Sequence, residues 1–356
     1  MSASAAGTWR LGDLEVGRLG FGAMRLTGSL PFQKGTPSDR GRSIAALRRA
    51  VELGVNHIDT AAFYFSELRS ANELINTALG PYPDDLVIVT KVGPGRDPWG
   101  EWYSARPNQL RGQVEENLRQ LGRDHLDVVN LRRMRQESIA DHFGALAELR
   151  NAGLIRHLGV SDVSVTQLEE ALAIAPVVCV QNRYSLDVRE HDPVLRACTE
   201  RSIAFVPFFS IAGGQRQAAG AAGESAELTE VARRHEATPA QVRLAWALHQ
   251  APNVLVIPGT GNPDHVTENV AAGALRLSAD DLALLDGADA ALRVADRLRL
   301  RLAGRLRGGR GHRGQQSRQR LQVTRGDAVA DRGAVALGRD QARLAQHLQV
   351  RRDRRL

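Results

Sequence analysis

Lysine is almost missing from this chain. Of its 47 Lys and Arg residues only two are lysines, Lys34 and Lys91. Cysteine is as scarce, with Cys179 and Cys198 the two thiols. A pair of cysteines builds no disulfide framework, and these two lack metal-ligand spacing. A reducing, cytoplasmic setting is the simplest expectation. The histidines His57, His142, His235 and His249 are scattered, without H-E-x-x-H or C-x-x-C, so no metal site is expected. No run of about 18 apolar residues is present, so no membrane span is expected. The opening MSASAAGTW has neither a basic start nor an apolar core and does not read as a signal peptide. The absence of a Walker A motif excludes a P-loop.

Acidic and basic charge are unevenly shared. The formal net charge is +7, but residues 291–356 hold 18 Arg and 5 Asp with no Lys or Glu. The first 290 residues are therefore mildly acidic, and any electrostatic case for nucleic acid rests on the tail alone. That tail lacks aromatic residues and would bury little apolar surface, so disorder or weak helix is expected from 290 to 356. It reads first as an appendage outside the chemistry, and otherwise as an arm for a phosphate backbone.

What the remaining length contains is a repeated alternation. Short apolar runs at 19–23, 55–61, 86–92, 126–131, 157–161, 177–181, 203–208 and 254–258 are mostly continuous rather than alternating. Strands buried on both faces read this way. Amphipathic stretches lie between and after them, at 39–53, 67–79, 106–121, 138–152, 164–174, 190–201, 225–249 with a break at Pro239, and 263–273. Ser38-Asp39, Ser138, Ser164, Asp192-Pro193 and Asn262-Pro263 stand where caps belong, and Gly54, Gly122 and Gly153 where helices stop. Eight strand–helix units predict an α/β fold, a (β/α)8 TIM barrel over 8–289. A short hairpin turning near Gly12-Asp13 precedes it, and a segment at 278–286 packs outside. A doubly wound sheet is the alternative, but no G-x-G-x-x-G follows the first strand.

In such a barrel the chemistry sits at the C-terminal strand ends. The second run ends in His57-Ile58-Asp59, with Tyr64 five residues beyond Asp59, and the third ends in Thr90-Lys91. Carbonyl reduction needs an acid that delivers a proton as hydride arrives. A tyrosine serves if a nearby cation lowers its pKa, and an aspartate keeps that cation charged. A lysine retained against a strong arginine bias points to a need for a compact ammonium. The same trio reads equally as a strand-end ion pair beside a loop tyrosine. At the eighth unit, Gly259, Thr260 and Gly261 allow close backbone approach before a helix with Pro263 at its first position, a suitable phosphate seat. An ordinary capped helix is the plainer reading. Trp99, Trp102 and Tyr103 after the third run suit a pocket wall or simple packing. Cys179 reads as an inert core thiol.

These segments also carry a resemblance. VNHIDTAAFY, LVIVTKVG, RHLGVSDVS, VVCVQNRYS and VLVIPGTGNPDHVTENVAA are very similar, in order and spacing, to aldo-keto reductase motifs, from about residue 19 to 285. The resemblance implies an NADP(H)-dependent oxidoreductase acting on a small-molecule carbonyl, with Tyr64 as the acid tuned by Asp59 and Lys91. It implies Ser161, Asp162 and Gln181 at the nicotinamide amide and Phe208 stacked on its ring. Gly259, Thr260, Gly261, Asn262, His265, Glu268 and Asn269 would hold the adenosine end. Asp162 stands in place of a more usual asparagine. His265 takes the place of the basic residue that often meets the 2′-phosphate, and no Lys or Arg occurs from 259 to 269. NADP(H) is favoured over NAD(H). Where the family usually has a histidine at the fourth strand end, this chain has Arg132, which stays charged and does not shuttle protons. It suits polarising a carbonyl or pairing with an anionic substrate group, and it reads alternatively as an ion pair with Asp59 or Asp162. DVVNLR and VPFF resemble the bacterial pyridoxal reductase-like branch, which makes reduction of pyridoxal the favoured activity. A general reductase of small aldehydes and ketones, and a nucleotide-binding redox sensor with little turnover, remain the rival readings.

Overall fold

The computed structural model describes residues 2–28, 38–97, 101–211 and 224–287. Lys34, Trp99 and the basic tail lie outside the described residues. Seven parallel strands follow one another in the sheet: β3 (Phe21–Gly22), β4 (His57–Asp59), β5 (Val87–Val92), β8 (Leu126–Arg132), β9 (Ile155–Ser161), β10 (Val177–Arg183) and β11 (Ala204–Phe208). The ring closes through residues 254–256, which bridge Phe205 on one side and Leu19 on the other. The Gly20 N–H donates to Val256 O (2.8 Å) and the Leu255 N–H to Phe205 O (2.9 Å). Arg18 fastens this seam. Its guanidinium donates to Leu248 O (2.6 Å), Ala251 O (2.8 Å) and Val254 O (3.1 Å).

Helices separate successive strands and pack outside. Arg40–Glu52 is typical: Ser43, Ala46, Leu47 and Ala50 are buried at i, i+3, i+4 and i+7, and the Asp39 carboxylate accepts from the Arg42 N–H at 2.7 Å. Ser164 with Gln167 forms a full capping box at the start of Val165–Leu172. The expected break at Pro239 separates Ala226–Arg234 from Pro239–His249, with Thr238 as the cap. Several boundaries differ from the sequence expectation: Ile139 rather than Ser138 caps the helix Ala140–Asn151, and the α-helix expected from 106 begins at Leu110 after a 3-10 turn. The helix expected from 67 begins at Ala71, because Ser70 caps it. Asp192 is the first helical residue rather than the cap of its helix.

Two cores result. The larger lies between strands and helices. The smaller fills the barrel with Val87, Val89, Val128, Cys179, Ala204, Val206 and Leu255, joined by Leu11 and Val16. Those last two come from a hairpin, β1 (Thr8–Leu11) and β2 (Leu14–Gly17), that plugs one end. Its Gly12 has φ +68°, and a side chain there would collide with the His157 ring. Asp13 beside it pairs with Arg156 and His157. A second hairpin escaped the sequence reading. β6 (Pro94–Arg96) pairs antiparallel with β7 (Trp102–Ser104) after β5.

Candidate active site

Alternation along each strand decides which side chains enter the barrel. Residues 57 and 59 of β4 point the same way, as do 87, 89 and 91 of β5 and 128, 130 and 132 of β8. The apolar ones fill the inner core, and the last inward residue of each strand is polar or aromatic. Asp59, Lys91, Arg132, Ser161, Gln181 and Phe208 all line a single cavity of about 140 Å³. Phe63 and Tyr64, from the loop after β4, line it too.

Lys91 and Asp59 are both buried and form an ion pair, Nζ to Oδ1 at 2.6 Å. Lys91 Nζ also donates to Thr60 O at 2.9 Å. Asp59 Oδ2 accepts from Gln181 Nε2 at 2.7 Å. The Lys91 ammonium also stands over the Tyr64 ring, 4.9 Å from its centroid. Burial alone would strip Lys91 of its proton, but Asp59 reverses this and holds the ammonium above the ordinary lysine range. Tyr64 departs from the sequence expectation. Enclosure of its hydroxyl raises its pKa, and the Lys91 ammonium only opposes that rise. The hydroxyl thus keeps its proton at neutral pH.

Arg132 faces this trio from β8. One side of its guanidinium meets Asp162 Oδ2 at 3.5 Å, and Nη1 donates to Ser161 Oγ at 3.3 Å. Its Cζ lies over the Phe208 ring at 4.9 Å. Of the two ion pairs weighed for Arg132, the one with Asp162 is present, and Asp59 is taken by Lys91. Asp162 adopts φ +62°, in the left-handed region where Asp and Asn are tolerated. Its carbonyl accepts from Arg133 Nε at 2.6 Å. Burial lowers the Arg132 pKa, opposed by Asp162 and Tyr64, and a guanidinium remains charged throughout the working range.

On the far side of the cavity two glycines come together. Gly22 and Gly259 touch back to back: a Cβ on Gly259 would lie 2.5 Å from Gly22 O. Both glycines line the cavity with Ile257 and Pro258. Just beyond, Asn262 caps the helix Pro263–Ala271 by accepting from the Asp264 N–H, and Thr260 Oγ1 accepts from the Asn262 N–H at 3.0 Å. His265 and Glu268 are exposed on this helix and Asn269 is buried. Thr260 Oγ1 and His265 Nδ1 stand 3.5 Å apart. Thr260, Asn262 and His265 gather at the helix N-terminus, where backbone N–H groups favour an anion, and Glu268 and Asn269 lie in the second half of the helix. Gln181 Oε1 is buried and has no hydrogen-bond partner.

Several lining residues were missed from sequence: Gly22 at the end of β3, Met24 and Arg25 just after it, Phe63, and Ile211 after β11. The x-G-x-x-R stretch after the first run was the available signal for the first three. Trp102 meets Phe63 edge-on at 5.8 Å, which puts the hairpin beside the cavity wall. Cys179 is buried, with its thiol pushed up to about 12 by that burial. Among the described residues no three His, Cys, Asp or Glu side chains gather as a metal would require, and no helix is long and apolar enough to cross a membrane.

The family model for the Aldo/keto reductase family matches residues 18–290. The chain belongs to the aldo/keto reductase family. Its relatives in that family include pyridoxine 4-dehydrogenase of Escherichia coli K12, 45% identical over 291 residues, which span 80% of this chain and 98% of the relative. A methylglyoxal reductase of the same bacterium is 30% identical, over 70% of this chain and 86% of its own. Among solved structures, an aldo-keto reductase from Klebsiella pneumoniae in complex with NADPH aligns with a TM-score of 0.66 at 28% identity. It covers 78% of this chain and 93% of that one. This aldo/keto reductase thus matches its relatives over nearly their whole length, and the match ends where the arginine-rich segment begins.

Proposed function

We propose that this aldo/keto reductase uses NADP(H) to reduce an aldehyde to its alcohol, with pyridoxal, converted to pyridoxine, as the preferred substrate. The observation that carries this is the meeting of Tyr64, Lys91 and Asp59 with Arg132 in one cavity. When bound, NADP(H) would supply the hydride for the carbonyl carbon. Tyr64 gives its hydroxyl proton to the carbonyl oxygen as the C–O π bond breaks, and the site then regains a proton from water. Lys91 stabilises the tyrosinate that this leaves, and Asp59 keeps Lys91 charged and in place. Arg132, steadied by Asp162 and Ser161, attracts oxygen anions. Pyridoxal carries an acidic phenolic oxygen next to its aldehyde, so one guanidinium serves both the carbonyl and its neighbour. Gly259, Thr260, Gly261, Asn262, His265, Glu268 and Asn269 would hold the adenosine end, Ser161, Asp162 and Gln181 the carboxamide, and Phe208 the ring face. The NADPH complex of the Klebsiella relative supports NADP(H) over NAD(H). We place the catalytic unit at 8–289, with 290–356 outside the chemistry, and the two buried thiols fit a cytoplasmic setting.

The test is a comparison of substrates. Purified protein with NADPH should oxidise it faster with pyridoxal than with propanal or methylglyoxal. Arg132→Met should lower kcat/KM for pyridoxal about ten- to a hundredfold more than for propanal, the scale of one lost hydrogen bond to a charge. Equal losses on both would favour a general aldehyde reductase, the reading that the methylglyoxal reductase relative supports. Tight NADPH binding without turnover of any carbonyl would favour a redox-sensing role.

A further inference from the structure

Asp59 has two oxygens, and both are committed inside the barrel. Oδ1 takes the Lys91 ammonium at 2.6 Å and Oδ2 takes the Gln181 amide nitrogen at 2.7 Å. All three residues are less than 5% exposed. Held by Lys91, Asp59 is a carboxylate and accepts only. A flipped Gln181 amide would set its carbonyl oxygen against that carboxylate, losing a charge-assisted bond and facing two acceptors in a dry site. One orientation therefore survives, with Nε2 on Asp59 and Oε1 free of any partner. Gln181 lines the cavity beside Ser161, its neighbour across the β9–β10 pairing. Gln181 therefore borders the cavity with a locked amide whose acceptor is still unfilled.

We infer that Asp59 is a positioning residue for the cofactor as well as for Lys91. By locking the Gln181 amide, it makes the site demand a hydrogen-bond donor and so select a nicotinamide carboxamide over a ring bearing a carboxylate. This rests on the NADP(H) reading above. It adds that the carboxylate next to the proton donor also controls which dinucleotide enters.

The probes are NADP+ and nicotinic acid adenine dinucleotide phosphate, in which a carboxylate replaces the carboxamide, titrated calorimetrically into the full chain. The wild type should prefer the carboxamide by about tenfold or more, the value of one unmet buried acceptor. Asp59→Asn keeps the shape and removes the charge, and its own amide satisfies Gln181 in either orientation. The preference should fall to within about threefold, through tighter binding of the carboxylate dinucleotide, a gain that misfolding does not produce. In a Gln181→Leu background the preference should already be gone, and Asp59→Asn should change nothing further. An unaltered preference in Asp59→Asn, or a further loss in the double variant, overturns the inference and leaves the NADP(H) reading intact. Failure of the wild type to bind either dinucleotide overturns both. If Asp59→Asn does not fold, 15N NMR of the wild type decides. The Gln181 side-chain NH2 protons should exchange slowly with and without NADP+, and fast exchange in either state rejects the lock.

Discussion

The two ends of the barrel are built from the same strands by the same alternation and differ in one residue per strand. At the plugged end the inward positions are Val87, Val128 and Ala204, closed over by Leu11 and Val16. At the open end they are Asp59, Lys91, Arg132 and Gln181. The plugged end excludes water by packing, and its apolar burial contributes directly to stability. The open end buries an ion pair whose attraction is largely offset by desolvation, so it contributes little net stability. What the open end gains is orientation: both oxygens of Asp59 are taken, one by Lys91 and one by Gln181. Stability and chemistry are therefore separable along the barrel axis.

Substitutions at the two ends should fail in opposite ways. The largest effect belongs to the open end. Tyr64→Phe removes the proton donor and should lower kcat about a thousandfold, within the usual range for a general acid. Its NADPH affinity should stay within about threefold and its melting temperature nearly unchanged. Undiminished turnover would remove Tyr64 from the mechanism. At the plugged end, Leu11→Ala should cost about 2–5 kcal/mol in urea unfolding, while kcat per folded molecule holds. A fall in kcat as large as the stability loss would show that the ends are not independent.

The smallest and subtlest effect lies between the ends, at His57, two residues before Asp59 on the same inward face. Burial pushes its pKa down from 6.5 to about 4, against the pull of Asp59. The unfolded chain then binds a proton that the folded chain refuses. Stability should therefore be full above pH 6.5 and decline as the pH falls toward 4, by up to roughly 3 kcal/mol from this one group. Below about 4 both states are protonated and the decline from this source stops. His57→Asn should flatten that part of the stability–pH curve measured by urea titration. An unchanged slope would assign it to other groups.

Much of this was legible in the sequence because the barrel repeats. Continuous apolar runs ended by polar residues gave the strand order and brought Asp59, Lys91, Arg132 and Gln181 to one mouth. Glycines and caps gave most helix limits. The β6–β7 hairpin was hidden because its strands are three residues long and lean on a contact between Gly95 and the Tyr103 ring, which has no period to detect. The Gly22–Gly259 approach was hidden for a related reason, since it joins residues far apart in the chain. The titration of Tyr64 was expected to move down because sequence displays the neighbouring lysine but not the depth of the hydroxyl. Pairing of Arg132 with Asp162 rather than Asp59 depended on which carboxylate Lys91 had already taken.

The grip of Arg18 on the closing strand bears on how the chain is made. Arg18 and Val254 are 236 positions apart, so the seam cannot form until almost the whole barrel has left the ribosome. Until then β3 has only one of its two neighbours, and the growing sheet presents a raw edge at each side. Loop-closure entropy rises slowly with length, so the final join is not forbidding once both edges exist. The vulnerable interval is the wait itself, when unpaired strand edges invite pairing with other chains. The edges therefore stay open until residue 254 is available, and Arg18 is the latch that ends the exposure.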